Sequence, residues 1–198
     1  HTKDIIETFW ALSKELADAR HYPSIDWVTS FSGHVHTAAQ WWHTEINPEW
    51  EQRRASALTL LARDAELSRI VNLVGPEALS DSQRWELEGA SLIKEGVLQQ
   101  SALDEIDTFC SPAKQFALLD LVIAIYQHGE SLIKLGVPVT ELQRLPLLAK
   151  MRRIKSMYSS EQLDQIQAFR HEVEQAMEGI HVEYAKQGEG MREPSLHP

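Results

Sequence analysis

A single cysteine, Cys110, stands in 198 residues. No disulfide can close within the chain, and that usage fits a reducing compartment. Glycine is scarce, and none of the nine is followed by lysine. The Gly-x-x-x-x-Gly-Lys-Ser/Thr loop, whose backbone N–H groups close around phosphate oxygens, is therefore missing. Gly-x-Gly-x-x-Gly is missing too, as are His-Glu-x-x-His and Cys-x-x-Cys. Long apolar runs are lacking: the best stretch, Phe116 to Tyr126, is interrupted by Asp120 and falls short of the ~20 residues a membrane span needs. No signal peptide opens the chain. It begins at His1 with a helical pattern starting almost at once, which reads as an excised piece of something longer. Basic residues are outnumbered, 19 against 29 acidic, for a formal charge of -10. That argues against a nucleic-acid binder, which needs a basic face to neutralise phosphates, and against an anionic membrane surface. The local exception is Lys150-Met151-Arg152-Arg153-Ile154-Lys155.

The chain is 43% apolar and 24% charged, a globular composition of a length that suits one domain. Apolar residues from Asp4 to Ala19 recur at helical spacing. Pro23 biases Tyr22 out of the helical region, so this first helix ends near Arg20 or His21. Ser24 to Gly33 fits neither the helical nor the strand period, and Thr37 to Thr44 reads as a short aromatic helix. Asn47-Pro48 opens a long helix to Val74, closed by Gly75-Pro76. Ser80 with Gln83 makes a capping box for a helix from Asp81 to Glu95, stopping at Gly96. A short helix or turn covers Ser101 to Ile106. Ser111-Pro112 opens a helix apolar on nearly all sides, the expected core helix, closed by Gly136 and Pro138. Thr140 caps a short helix, Pro146 opens another to about Met157, and Ser159 with Gln162 precedes a last helix to about Lys186. No alternating strand pattern emerges, and residues 188–198 compose a frayed tail. The expected fold is all-α: one bundle of roughly six to eight helices.

Sites of chemistry are few. His34, His36 and His43 lie close in sequence, but read as surface histidines rather than metal ligands. Cys110 sits just before a helix N-cap, yet lone cysteines are more often small apolar groups than nucleophiles. Asp104, Glu105 and Asp107 read as a solvated face, and the basic run from Lys150 as helix surface. From residues alone, this is an acidic helical domain with no complete active site.

Four strings go further: Leu16-Ala17-Asp18-Ala19-Arg20-His21-Tyr22-Pro23-Ser24-Ile25-Asp26-Trp27, Leu73-Val74-Gly75-Pro76-Glu77-Ala78-Leu79, Leu98-Gln99-Gln100-Ser101-Ala102, and Asp104 to Ser111. In this order and spacing they resemble the C-terminal region of the catalytic A subunit (alpha chain) of V-type and A-type rotary ATPases and ATP synthases, from about Ile5 to Met157. The resemblance implies a helical bundle behind a phosphate-loop nucleotide domain. Residues 1–20 would be the last helix of that domain or a linker from it, 21–187 the bundle, and 188–198 the tail. It implies ATP or ADP with Mg2+ in the parent complex, held at interfaces with B subunits around a central rotor stalk, in a peripheral head on the cytoplasmic face of the membrane. The adenine-clamping aromatic falls on Tyr22, and the opposite pair on Ala102 and Leu103. Leu103 departs from the family's aromatic there and can pack on a base without stacking. No catalytic residue and no metal ligand is inherited. The implied work is coupling nucleotide-driven closure, with a hinge at Arg20 to Ser24, to a rotor, for which the Gly136 to Pro146 turn and its neighbours are candidate contacts. The alternative is a stand-alone helical interaction module that binds a partner helix and no nucleotide.

Overall fold

The computed structural model of the chain describes residues 7–190, with side chains through Lys186. The start of the expected first helix (Asp4 to Ile6) and residues 191–198 of the expected tail lie outside the described residues.

The first element corrects the expected helix. Thr8–Leu12 is a strand, β1, paired antiparallel with Ile25–Ser32, β2. Only Lys14–Asp18, α1, is helical between them, with Ser13 as N-cap accepting from the Leu16 N–H. Phe9, Trp10 and Leu12 satisfy either period, and Thr, Phe and Trp favour a pleated strand. β2 fits no period because it bulges. Between the pairs Phe9–Phe31 and Ala11–Asp26, β1 advances two residues and β2 five. The Asp26 carboxylate accepts from the Val28 and Thr29 N–H groups, the local turn that takes up the excess.

The remainder is mainly helical, as expected. α2 (Val35–Glu45) brings Trp42 flat onto Trp50, ring centroids 5.2 Å apart. α3 (Trp50–Val74) runs away from that contact and ends at Gly75, whose φ of 89° favours glycine. A 3-10 turn at Pro76–Ala78 returns the chain into α4 (Asp81–Ile93), which carries the Ser80/Gln83 capping box. α4 then widens into a π-helical turn, Lys94–Leu98, so Gly96 continues the helix rather than stopping it. α5 (Pro112–Lys134) is the core helix. It is long and apolar enough to cross a membrane on length and composition, more so than the sequence reading allowed, yet 56% of its most apolar window is buried in the bundle. α6 (Val139–Gln143) and α7 (Pro146–Met157) lead to the long last helix α8, Leu163–Gly190.

The core is built where α4 crosses α5. Trp85 is fully buried, and its indole Nε1 donates to the Tyr126 carbonyl at 2.9 Å. Its ring lies so close to Gly129 that a Cβ there would stand 2.1 Å from it. Leu121, Val122, Ile123 and Ile125 of α5 share one buried core with Trp85, Leu92, Ile93, Met151 and Phe169. Asp120 reaches out of α5 to Arg53 of α3 and Arg170 of α8, one carboxylate tying three helices.

The bundle has two ends. The N-terminal ends of α3, α5 and α8 lie with the C-terminal ends of α4 and α7, beside the hairpin. At the other end are the α3–α4 turn and α6, joined by the Val139 N–H donating to Asp81.

Candidate functional site

The turn after α1 is fixed from two sides. The His21 N–H donates to the Leu16 carbonyl at 2.8 Å, Arg20 takes a left-handed backbone with φ 56°, and the Tyr22–Pro23 peptide is cis. His21 is buried, and its Nε2 lies 2.9 Å from the Lys94 carbonyl. A carbonyl only accepts, so Nε2 carries the proton. The ring meets Trp27 edge-on. His21 thus pins the turn to the π-helical end of α4, while Tyr22 is left 56% exposed.

A backbone hydrogen bond joins this turn to the second string. The Gln100 N–H donates to the Tyr22 carbonyl at 2.8 Å. From Gln100 the chain enters a loop, 101–110, that folds by turns rather than a helix. Asp104 Oδ1 accepts from the Ile106 and Asp107 N–H groups, and the Thr108 hydroxyl donates to the Asp104 carbonyl. Gln100 Nε2 donates to the Asp107 carbonyl, and Asp107 Oδ2 accepts from the Ser101 N–H at 2.7 Å. Ala102 is exposed, and Leu103 is 97% exposed.

Two clefts flank the junction. The smaller, about 310 Å³, lies between the Tyr22 turn, the loop and α7. Three cations (Arg20, Arg152, Lys155) and three carboxylates (Glu95, Asp104, Asp107) line it. Arg152 is committed to Glu88 and Glu95 of the α4 end. The larger, about 570 Å³, runs between the hairpin, α3 and α5, and is lined by Trp10, Trp27, Trp42 and Trp50 among others. Gln100 and Lys155 line both clefts.

The wall between the clefts is charged and buried. Asp107 and Lys155 are each 5% exposed and Lys114 is fully buried. Lys155 Nζ faces Asp107 Oδ1 at 3.5 Å, and Lys114 Nζ donates to the Lys155 carbonyl at 2.8 Å. Burial holds the Lys155 ammonium below its ordinary pKa, with the nearby Asp107 opposing that shift. Burial also pushes the Cys110 thiol up, the opposite of an activated nucleophile.

Two sequence readings are corrected here. Asp107 is not part of a solvated acidic face, and the run from Lys150 is not a free basic surface. Lys150 pairs with Glu172 and sits over the Phe169 ring, while Met151, Ile154 and Lys155 are buried. The sequence carried a signal for this. Leu147, Leu148, Met151, Ile154 and Lys155 follow one helical stripe, so the lysine occupies a core-facing position. His21 had no such signal, because its partner Lys94 lies 73 residues away.

Of the residues singled out in the sequence, Tyr22 lines the smaller cleft, and Ala102 and Leu103 follow directly on its Ser101 edge. His34 pairs with Glu7, and His36 and His43 are exposed on α2. Among the described residues, no group of three His, Cys, Asp or Glu side chains could hold a metal ion. The exposed phenol of Tyr22 and the apolar Leu103 suit a flat ring. No nucleophile beside a base occurs among the residues that line the smaller cleft. The arrangement can bind and orient.

A family model described as "C-terminal domain of V and A type ATP synthase" matches residues 39–142, 104 of the 198 positions. The chain is 57% identical over 188 residues to the V-type ATP synthase alpha chain of Nitrosococcus oceani, covering 95% of this chain and 32% of that one. It is 39% identical over 180 residues to the A subunit of the A-type ATP synthase of Methanopyrus kandleri, covering 91% and 30%. The chain thus spans about a third of the length of these relatives. A solved structure titled "Structure of a unique ATP synthase subunit NeqB from Nanoarcheaum equitans" aligns with a TM-score of 0.52 at 22% identity, covering 63% of this chain and 29% of that one, and supports the fold alone.

Proposed function

The chain belongs to the family of C-terminal domains of V and A type ATP synthases, and from that premise we propose that it is the helical C-terminal part of the catalytic A, or alpha, subunit of a rotary, ion-translocating ATP synthase or ATPase. The remaining two-thirds of such a subunit supplies the phosphate loop, the catalytic groups and the Mg2+ ligands. In this reading, residues 1–20, whose β1 pairs with β2 across the boundary, lead in from the nucleotide domain, 21–187 form the bundle, and 188–198, of which 188–190 continue α8, are its tail. The parent couples ATP hydrolysis or synthesis to transport of protons or sodium ions. It sits with B subunits around a rotor stalk, in a head at the cytoplasmic face of the membrane.

The chain's own share of the nucleotide site is one wall for the adenine ring, made by Tyr22 with Ala102 and Leu103. The observation that carries this is the 2.8 Å hydrogen bond from the Gln100 N–H to the Tyr22 carbonyl. It ties two segments 78 positions apart, the two that the wall requires, into one rim. Base stacking on an aromatic is worth roughly 1–3 kcal/mol. Tyr22→Ala in the full-length subunit of the assembled complex therefore raises KM for ATP about 5- to 150-fold with kcat little changed. An unchanged KM overturns the wall.

The bundle's second task is to carry closure of the nucleotide domain to the stalk. The far end supports it: Leu73, 84% exposed, and Val74 stand beside the Gly75 turn, at the end that also carries Leu135 and the Gly136 to Pro146 turn. Exposed apolar side chains at a rigid tip suit a partner surface. Leu73→Ser with Val74→Ser lowers ATP-driven rotation or pumping relative to ATP hydrolysis, measured on the reconstituted complex, whereas equal loss of both overturns the assignment.

A further inference from the structure

The wall between the two clefts contains a charge that packing alone does not require. Lys155 closes an apolar stripe of α7 whose other members are Leu147, Leu148, Met151 and Ile154. A methionine would fill that position at less desolvation cost, since burying an ammonium is expensive unless it is well paired. Its contacts are long: 3.5 Å to Asp107 Oδ1 and 3.5 Å to the Val97 carbonyl. Asp107 is the carboxylate that faces it, and that carboxylate has a second task. Its other oxygen accepts from the Ser101 N–H at 2.7 Å, one residue before Ala102 and two before Leu103. The Asp107 carbonyl is held by Gln100, the residue bonded to Tyr22.

We propose that Lys155 is the positioning residue of the base-binding wall: by neutralising buried Asp107 it fixes the loop 101–110, and so sets Ala102 and Leu103 against Tyr22. The inference rests on the adenine-wall reading above. Lys114, donating to the Lys155 carbonyl from the first turn of α5, holds the end of α7 in register. Without the ammonium, the Asp107 carboxylate keeps the Ser101 N–H but is left buried without a countercharge, and it recovers water by turning outward. That turn releases the Ser101 N–H and moves the wall, while the phosphate-holding machinery elsewhere in the parent is untouched.

The test uses the full-length subunit in the assembled complex, with ATP as substrate and inorganic tripolyphosphate as an inhibitor that lacks a base. Lys155→Met raises KM for ATP about tenfold, with kcat and the tripolyphosphate inhibition constant each within twofold of the parent. Asp107→Ala, which removes the Ser101 acceptor, gives the same pattern. The double variant is no worse than either single one, because both act through one loop. A parallel rise of KM and the tripolyphosphate constant, or effects that multiply in the double variant, overturns the proposal. Should Lys155→Met fail to assemble, Asp107→Ala with and without Lys155→Arg decides. The arginine keeps the charge, so Lys155→Arg alone leaves KM for ATP within about threefold of the parent, while Asp107→Ala raises it about tenfold with or without the arginine; a rise of about tenfold from Lys155→Arg alone overturns the proposal. Tyr22→Ala separates the two levels. If it leaves KM unchanged, the wall itself is wrong; if it raises KM while Lys155→Met does not, only the positioning role is.

Discussion

The body of the bundle and its cleft end are held by different forces. The body is dry: Trp85, Leu92, Ile93 and the inner faces of α5 meet with close contacts and few polar atoms. The cleft end is held by direction rather than area. Its loop, turn and α7 end are linked by hydrogen bonds, one buried ion pair and a histidine, and its Tyr22 and Leu103 side chains are exposed. Packing is insensitive to small changes in orientation but intolerant of lost or added volume. A hydrogen-bonded loop is the reverse. It follows that substitutions in the body report on stability, and substitutions at the cleft report on binding.

The sharpest test of the dry half is the Trp85–Gly129 contact. Trp85→Ala removes the largest fully buried side chain and leaves the Tyr126 carbonyl without its indole donor. It should cost about 3–5 kcal/mol. Gly129→Ala approaches the same contact from the other side, forcing a methyl to within 2.1 Å of a ring that has nowhere to go, and should cost about 3 kcal/mol. Urea melts measure both. A loss below about 1 kcal/mol in either would mean that the body is not the rigid half.

An intermediate effect is expected where the two halves meet. Ser111 caps α5, its side chain accepting from the Lys114 N–H at 3.3 Å, and its own N–H donates to the Ser160 hydroxyl before α8. Ser111→Ala should destabilise by about 1 kcal/mol and Ser111→Gly by only a few tenths. Equal losses from both would show that the cap bond is not what the Ser111 side chain contributes, since its N–H bond to Ser160 survives either change.

The same division explains how far the sequence could be read. Elements of the body repeat a helical period and carry local caps. Ser80/Gln83, Ser111-Pro112 and the start of α7 at Pro146 could each be named from neighbouring residues. The resemblance likewise rested on contiguous strings. What escaped was set by distant partners. The hairpin hid because its apolar run fits two periods and because Asp26 bulges β2 out of any period. His21 waits on Lys94, and Asp107 on Lys155, 48 residues further on. At the candidate wall, Tyr22, Ala102 and Leu103 were named by likeness, but the network that holds them was not legible, since hydrogen bonds between loops leave no periodic trace.

A smaller effect, in pH, probes the seam of the body. Tyr126 lies over Gly89. Burial first, and then Glu130 and Glu86, push its phenol from 10.0 up to about 12. The unfolded chain gives up this proton near 10 and the folded chain near 12, so within that window the native state binds more protons. Stability contributed by the neutral phenol is therefore present below pH 10 and is lost as pH rises towards 12. Tyr126→Phe should flatten that fall in urea midpoints, and a phenol absorbance titration should lose its latest-titrating step. A variant whose midpoints fall as steeply as the parent's would show that Tyr126 is more open to water than the packing implies.

The smallest stability change is expected at Tyr22, the residue proposed above as the aromatic face of the wall. The ring of Tyr22 is 56% exposed, and what ties the turn down is backbone: its carbonyl receives the Gln100 N–H, and the neighbouring His21 imidazole reaches Lys94. Truncating the ring leaves each of these bonds in place. Tyr22→Ala should therefore shift unfolding by no more than about 0.5 kcal/mol, while the same change removes the aromatic face offered to a base. Leu103→Phe is the complementary gain. An exposed leucine becomes a ring that can stack, with little change in stability and tighter ATP binding by the parent complex. If Tyr22→Ala instead destabilised the chain by about 2 kcal/mol or more, beyond what an exposed side chain contributes, the phenol would be a packing residue of the turn. The contrast between a packed body and a hydrogen-bonded cleft end would then fail at the position where it is drawn most sharply.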